Sequence, residues 1–170
     1  IMNFHKITTN DIANGKGVRV VLWVSGCNHK CKECHNPETW DFCAGKLFDD
    51  TAKEELFDAL SKPWIKGITL SGGHPLEPQN NNTIYKLLRE IKEKFPNKDI
   101  WLYTGYHLDW EDFNPPRRIS TTLQLCDVVV DGPFILEQRD LTLPFCGSRN
   151  QRLIDVHQTL EKAHICELKI

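Results

Sequence analysis

A chain of 170 residues, 40% of them hydrophobic, predicts a single folded domain over residues 1–170 rather than a disordered polymer. The formal net charge of −2 argues against a dedicated nucleic-acid-binding protein, which usually carries a basic excess. No charged-then-apolar leader opens the sequence, and no apolar run approaches the roughly 18 to 20 residues of a membrane helix. We therefore expect a cytoplasmic protein that binds neither nucleic acid nor membrane.

The first predicted elements are a strand, a cysteine-bearing loop and a helix. Residues 18–25 are rich in β-branched and aromatic side chains, which favour a strand. The strand leads into the loop 26–35. A helix is predicted from about 51 to 61, with Asp49 or Asp50 as its N-cap and apolar residues along one face.

The middle of the chain repeats this alternation. A short strand is predicted at 66–70, and the polar run 79–82 is interpreted as a loop. The helix 83–95 has the clearest apolar spacing in the chain and is ended by a proline. The segment 99–104 predicts a third strand, and two prolines make 114–118 a loop.

The last predicted elements are a weak helix after Leu108, a largely apolar strand at 126–130 and a strand at 151–156, followed by a C-terminal tail at about 157–170. Alternating strands and helices indicate βαβ units and a mostly parallel α/β sheet. Ligands of such sheets bind at the carboxyl ends of the strands. Four loops are expected to share that edge: 26–35, 71–75, 104–106 and 131–134.

Three of the seven cysteines lie within eight positions, at Cys27, Cys31 and Cys34. Iron-sulfur clusters are held by cysteine thiolates, usually one for each iron in a four-iron cluster. Three ligands on such a cluster leave one iron open, and an open coordination position is where a substrate can bind. The spacing therefore favours a catalytic 4Fe-4S cluster over an electron store.

Two other interpretations remain open at this point. Structural zinc would need a fourth ligand, for which His29, His35 and Cys43 are candidates. A second pair of zinc ligands is not evident, which weakens this alternative. A redox or nucleophilic cysteine would explain one thiol but not three.

The second loop contains Gly72 and Gly73, which let a backbone approach a ligand closely, followed by Pro75. Taken alone, the same residues form an ordinary turn between a strand and a helix. Asp131 ends an apolar strand, so its carboxylate either binds a ligand or a cation at the site or forms a turn before glycine. Thr104 is a candidate on the same grounds.

The cysteine loop, followed about 40 residues later by a Gly-Gly-x-Pro turn, resembles the radical S-adenosylmethionine (SAM) superfamily. The resemblance is closer to the activating proteins of anaerobic (class III) ribonucleotide reductase. The strings that carry it span most of the chain: 11–15 (DIANG), 24–27 (VSGC), 36–40 (NPETW), 70–73 (LSGG), 99–101 (DIW), 104–106 (TGY), 130–134 (VDGPF) and 147–152 (GSRNQR).

This resemblance implies a fold, two cofactors and a site. The fold would be a partial, trimmed TIM-like barrel of mostly parallel strands. The cluster would be a 4Fe-4S cluster on Cys27, Cys31 and Cys34, with SAM on its open iron. The SAM-binding residues carried over are Ser71, Gly72, Gly73, His74, Thr104, Asp131 and His35.

The resemblance also implies a reaction and partners. A reduced cluster would cleave SAM to methionine and a 5'-deoxyadenosyl radical, which would take a hydrogen atom from a glycine of the large reductase subunit. The cofactors carry this chemistry, and the protein supplies orientation and shielding from water. The family expectation for the electron donor is a flavodoxin. Two alternatives are an activase of another glycyl radical enzyme, such as pyruvate formate-lyase, and a zinc or iron-sulfur module that only docks to a partner.

Some positions depart from the family pattern. His74 stands where an acidic residue is usual, and Lys16 replaces a proline. Glu33 lies where the wider superfamily often has an aromatic residue, and His35 takes the place of an aromatic residue after the third cysteine. Cys146 replaces an arginine. The backbone role of the Gly-Gly turn does not depend on any of these side chains.

Overall fold

A seven-stranded sheet forms the centre of the computed structural model, which describes residues 2–26, 41 and 44–170. Its strands are β1 (Asn3–Asp11), β2 (Arg19–Val24), β3 (Lys46–Leu47), β4 (Gly67–Gly72), β5 (Asp99–Tyr103), β6 (Val128–Asp131) and β7 (Arg152–Asp155). The order across the sheet is β3-β1-β2-β4-β5-β6-β7, and the sheet is not closed.

The four central strands, β2, β4, β5 and β6, are parallel to one another. The outer pairings β1–β2, β1–β3 and β6–β7 are antiparallel. Since β3 is antiparallel to β1, it runs in the same direction as the central four. The predicted mixed α/β fold with a mostly parallel sheet is confirmed at this level.

Helices lie between the strands and after the last one. They are α1 (Asp50–Leu60), α2 (Pro78–Lys94), α3 (Trp110–Phe113), α4 (Ser120–Leu123) and α5 (Val156–Lys162), with a 3-10 helix at Leu136–Gln138. Asp49 caps α1 as predicted, because its carboxylate accepts a hydrogen bond of 2.9 Å from the Ala52 N–H. In the described part of the chain, no helix combines the length and apolar character needed to cross a membrane.

The prediction that 79–82 is a loop is wrong, because α2 already begins at Pro78. A proline fits the first turn of a helix, where its missing N–H would have no partner. Asn80 and Asn81 have low helix propensity, but both are buried and bond outside the helix. The Asn80 amide donates to two backbone carbonyls, and the Asn81 carbonyl accepts from the Thr122 hydroxyl at 2.8 Å.

Side chains alternate between the two faces of the central strands. The face that carries Val20, Leu22 and Leu70 packs into the main hydrophobic core with α1 and α2. The opposite face, here called the second face, carries a smaller cluster of Trp101 and Val130 with their neighbours. By the same alternation Ser71 lies on the second face, near the carboxyl end of β4.

A fully buried arginine anchors the amino ends of the strands on the second face. The Arg19 guanidinium donates to Thr69 Oγ1 at 2.8 Å and to the Ile68 carbonyl at 2.8 Å, and it pairs with Asp99 at 2.5 Å. It also lies over the Trp101 ring, 5.4 Å from the ring centroid. The network therefore ties β2, β4 and β5 together at the end opposite the predicted site.

Arg19→Met is expected to lower the free energy of unfolding by about 3 kcal/mol, since breaking a buried ion pair leaves uncompensated polar groups. Urea titration followed by circular dichroism measures the loss. Arg89→Met is the control, because the hydrogen bond from Arg89 to the Tyr85 hydroxyl is exposed. An Arg19→Met midpoint equal to that of the control would contradict a stabilising role for this network.

Candidate functional site

Gly26 and the loops 71–75, 104–106 and 131–134 follow the carboxyl ends of the four parallel strands at one edge of the sheet, as predicted. Residues 27–35 of the first predicted loop lie outside the described residues. Two backbone hydrogen bonds join the ends of β2 and β4: Gly73 N–H donates to the Val24 carbonyl at 2.7 Å, and His74 N–H donates to the Gly26 carbonyl at 2.6 Å. The loop after β6 joins the loop after β5, because Gly132 N–H donates to the Tyr106 carbonyl at 2.7 Å.

The proposed cluster ligands Cys27, Cys31 and Cys34, and the candidate His35, lie outside the described residues. The carbonyl of Gly26, the residue before Cys27, accepts from the turn after β4. Gly26 therefore lies directly beside the Gly-Gly turn. Within residues 2–26, 41 and 44–170, no three His, Cys, Asp or Glu side chains are grouped to hold a metal ion.

Both glycines of the turn are required by its geometry. Gly72 has a φ of +94°, in the region that side chains disfavour. A Cβ on Gly73 would lie 2.5 Å from the Gly26 carbonyl oxygen and 2.8 Å from the Gly26 nitrogen. The turn thus brings backbone without side chains next to Gly26, the residue before the first cysteine, and its Gly73 and His74 N–H groups are bonded to the Val24 and Gly26 carbonyls.

His74 is 1% exposed and joins three segments of the site. Its Nδ1 lies 3.1 Å from Glu77 Oε1, and its Nε2 lies 2.6 Å from Thr104 Oγ1. Its ring also packs edge-on against Tyr106, with 4.4 Å between ring centroids. Glu77 is 5% exposed and precedes α2, so a buried carboxylate stands three residues after the position where the family pattern has an acidic side chain.

The donor and acceptor roles of the two ring nitrogens depend on the tautomer of His74. Where the Glu77 carboxylate accepts the Nδ1 proton, Nε2 of a neutral imidazole is the acceptor for the Thr104 hydroxyl. Thr104 Oγ1 in turn accepts the Tyr106 N–H at 3.1 Å. The predicted site residues His74 and Thr104 are therefore brought into direct contact, and they fix the loop after β4 against the loop after β5.

The Asp131 carboxylate is fully buried and engaged by protein donors. Its Oδ2 accepts from Arg152 Nη2 at 2.6 Å and from the Leu108 N–H at 2.9 Å, and its Oδ1 accepts from Arg152 Nε at 3.1 Å. This bidentate pair raises the pKa of Arg152 above its ordinary value. Arg152 thereby joins β7 to β6.

Side-chain amides in the loop 147–152 donate hydrogen bonds to the loop after β6. Asn150 Nδ2 donates to the Pro133 carbonyl at 2.7 Å, and Gln151 Nε2 donates to the Gly132 carbonyl at 3.0 Å. Cys146, which replaces an arginine of the family pattern, is partly buried, and this burial raises the pKa of its thiol to about 11. It is therefore a neutral thiol at physiological pH.

Sequence reasoning missed two polar residues of the site. Asn80 is 2% exposed, and its amide donates to the Ser25 carbonyl at 3.0 Å and to the His74 carbonyl at 3.1 Å. Glu77 contacts His74 as described above. No local sequence signal marks either residue, because their partners follow other strands or depend on the turn geometry.

The chain is similar to one family model and to several named proteins. A family model described as a 4Fe-4S single cluster domain matches residues 13–154. The anaerobic ribonucleoside-triphosphate reductase-activating protein of Haemophilus influenzae is 43% identical over 152 residues, which cover 88% of this chain and 96% of that protein. The protein of the same name from Enterobacteria phage T4 is 44% identical over 156 residues, covering 89% and 93%.

The corresponding protein of Escherichia coli (strain K12) is 41% identical over 152 residues, which cover 88% of this chain and 96% of that protein. The identities extend over nearly the full length of each relative. The chain belongs to the family of anaerobic ribonucleoside-triphosphate reductase-activating proteins.

Proposed function

We propose that this protein is a radical SAM activase that generates a glycyl radical on the large subunit of anaerobic ribonucleotide reductase. The observation that carries the proposal is the contact of the Gly72–Gly73 turn with Gly26, where the cysteine loop leaves β2. The named relatives are activating proteins of that reductase, and the match to a 4Fe-4S domain supports an iron-sulfur cofactor.

The proposed cluster ligands are Cys27, Cys31 and Cys34. When bound, the reduced 4Fe-4S cluster supplies the electron for cleavage of SAM. The chain supplies the surroundings: the bare backbone of the Gly-Gly turn borders the loop, and the buried His74 and Thr104 hold the neighbouring loops in a fixed arrangement.

The proposed SAM-binding residues differ in what each can offer. Gly72, Gly73 and Ser71 offer backbone groups and a hydroxyl at the end of β4. The groups proposed to position the ligand through their buried contacts are His74, Thr104 and Asp131. His35, directly after the third cysteine, is proposed to lie against the adenine.

We further propose that residues 1–170 form one radical SAM domain, and that the open sheet is a trimmed form of a TIM-like barrel with its ligand site at the carboxyl ends of the parallel strands. The proposed electron donor is a flavodoxin, and the proposed location is the cytoplasm. Neither nucleic acid nor membrane has a part in the proposed activity.

Low-temperature EPR on anaerobically reconstituted, reduced protein, with and without SAM, tests the function. The expected result is a 4Fe-4S signal that changes when SAM is added, together with a glycyl radical signal when the reductase is present. A cluster indifferent to SAM would overturn the activase proposal. About one zinc per chain and no iron would indicate the structural metal module instead. Radical transfer to pyruvate formate-lyase but not to the reductase would indicate that the protein is an activase of pyruvate formate-lyase.

A further inference from the structure

Ser25 carries a buried hydroxyl with no hydrogen-bond partner in the described part of the chain. The residue is 1% exposed and lies between the end of β2 and Gly26. Burying a hydroxyl without a partner is unfavourable, and an alanine of nearly the same shape would avoid that cost. A serine here therefore indicates an acceptor that the described protein atoms do not provide.

The other two fully buried serines show the ordinary situation in this fold. The Ser120 hydroxyl donates to the Asp112 carbonyl at 2.7 Å, and the Ser148 hydroxyl donates to Asn150 Oδ1 at 2.5 Å. Each lies at 0% exposure and has a protein acceptor. Ser25 departs from this pattern at the point where the cysteine loop begins.

Hydrogen bonds to its N–H and to its carbonyl fix the backbone of Ser25, and with it the point from which the hydroxyl projects. Its N–H donates to the Asn3 carbonyl at 3.0 Å, and its carbonyl accepts from Asn80 Nδ2 at 3.0 Å. The same Asn80 amide also holds the His74 carbonyl. The hydroxyl is thus anchored to the Gly-Gly turn and to β1, two residues before the first proposed cluster ligand.

We propose that the Ser25 hydroxyl donates a hydrogen bond to a sulfur of the cluster, an inference that rests on the proposed 4Fe-4S site at Cys27, Cys31 and Cys34. Thiolate and sulfide sulfurs are anionic acceptors, and groups around a metal centre commonly bond its ligands. Because the reduced cluster carries one more negative charge, the hydrogen bond stabilises the reduced form and raises the reduction potential. Ser25 is in this sense a positioning and tuning residue rather than a catalytic one.

The test is an EPR-monitored redox titration of the reconstituted protein. Ser25→Ala is expected to lower the ratio of reduced to oxidised cluster about tenfold at a fixed applied potential, which corresponds to a midpoint about 59 mV more negative for one electron. Ser25→Thr keeps the hydroxyl, and Ser25→Val has the same shape without it. The midpoint of the threonine variant is therefore expected to be less negative than that of the valine variant. This comparison tests the hydrogen bond even where the alanine variant fails to fold.

Ser120→Ala is the matched control, since it removes another buried serine hydroxyl, one that bonds the Asp112 carbonyl, and should leave the midpoint unchanged. Equal midpoints for wild type and Ser25→Ala, or for the threonine and valine variants, would overturn the inference while leaving the proposed function intact. Absence of a cluster from the wild-type protein would instead overturn the proposed function, and the inference with it.

Discussion

Replacing any one of Cys27, Cys31 or Cys34 by alanine is expected to abolish SAM cleavage while the chain remains folded. Loss of an outer partner of a metal ligand already costs about 10- to 100-fold, so loss of a ligand itself should lower the rate by more than about 100-fold. The fold should survive because the main core is formed by β2, β4, β5, α1 and α2, which do not include these positions.

The measurements are iron and sulfide content, and the 5'-deoxyadenosine formed from SAM under reducing conditions, with circular dichroism to follow the fold. Cys166→Ala is the control, since Cys166 is a partly exposed free thiol near the carboxyl end. Cys43→Ala should likewise keep its iron. Wild-type cleavage by any of the three loop variants would remove that cysteine from the ligand set, and iron loss in Cys43→Ala would favour a four-cysteine site.

The central sheet could be predicted from the sequence because its strands are buried on both faces. Such strands appear as continuous apolar runs bounded by glycine or polar residues, as at 67–72 and 128–131. Because the order of elements fixes which ends of parallel strands meet, the common edge at which β2, β4, β5 and β6 end could be predicted from that order alone.

The edge strands could not be predicted in the same way. β1 carries charged and polar side chains along much of its length, and irregularities in its pairing with β2 at Phe4/Lys6 and Thr8/Asp11 break its alternation. β3 has only two residues, both exposed. Neither has a local pattern strong enough to distinguish it from a loop, and both depend on pairing with a neighbouring strand.

For a similar reason, the glycine turn of the site could be predicted from the sequence, whereas the long-range contacts around it could not. The family assignment made from short strings is confirmed by the relatives, and the glycine turn lies where those strings implied. The pairing of Asp131 with Arg152 spans 21 positions, and the bond from Asn80 to Ser25 spans 55. Contacts at such separations depend on the assembled sheet, so no local pattern reveals them. The roles assigned to the three cysteines and to His35 stay predictions.

Gly73→Ala is expected to remove the response of the cluster to SAM while leaving the cluster itself in place. The added Cβ would lie 2.5 Å from the Gly26 carbonyl oxygen, whereas contacts under 3.0 Å are essentially never adopted by a real Cβ. The opposing atoms are backbone, fixed by the bonds from Gly73 to Val24 and from His74 to Gly26. The turn must therefore move away from the loop, and a displacement of about 1 Å in a reacting arrangement can cost about 100-fold in rate.

EPR of the reduced variant with and without SAM, together with 5'-deoxyadenosine formation, checks this expectation. Gly67→Ala is the matched control, because a Cβ there would collide with the Asp99 carbonyl oxygen at the other end of β4. One variant strains β4 and the other the turn that directly follows it. Both should therefore lose thermal stability, but only Gly73→Ala should lose SAM binding in the folded protein. A normal SAM response in Gly73→Ala would mean that the turn lies outside the SAM site. A loss of response in both variants would mean that strain in β4, rather than the geometry of the turn, controls the site.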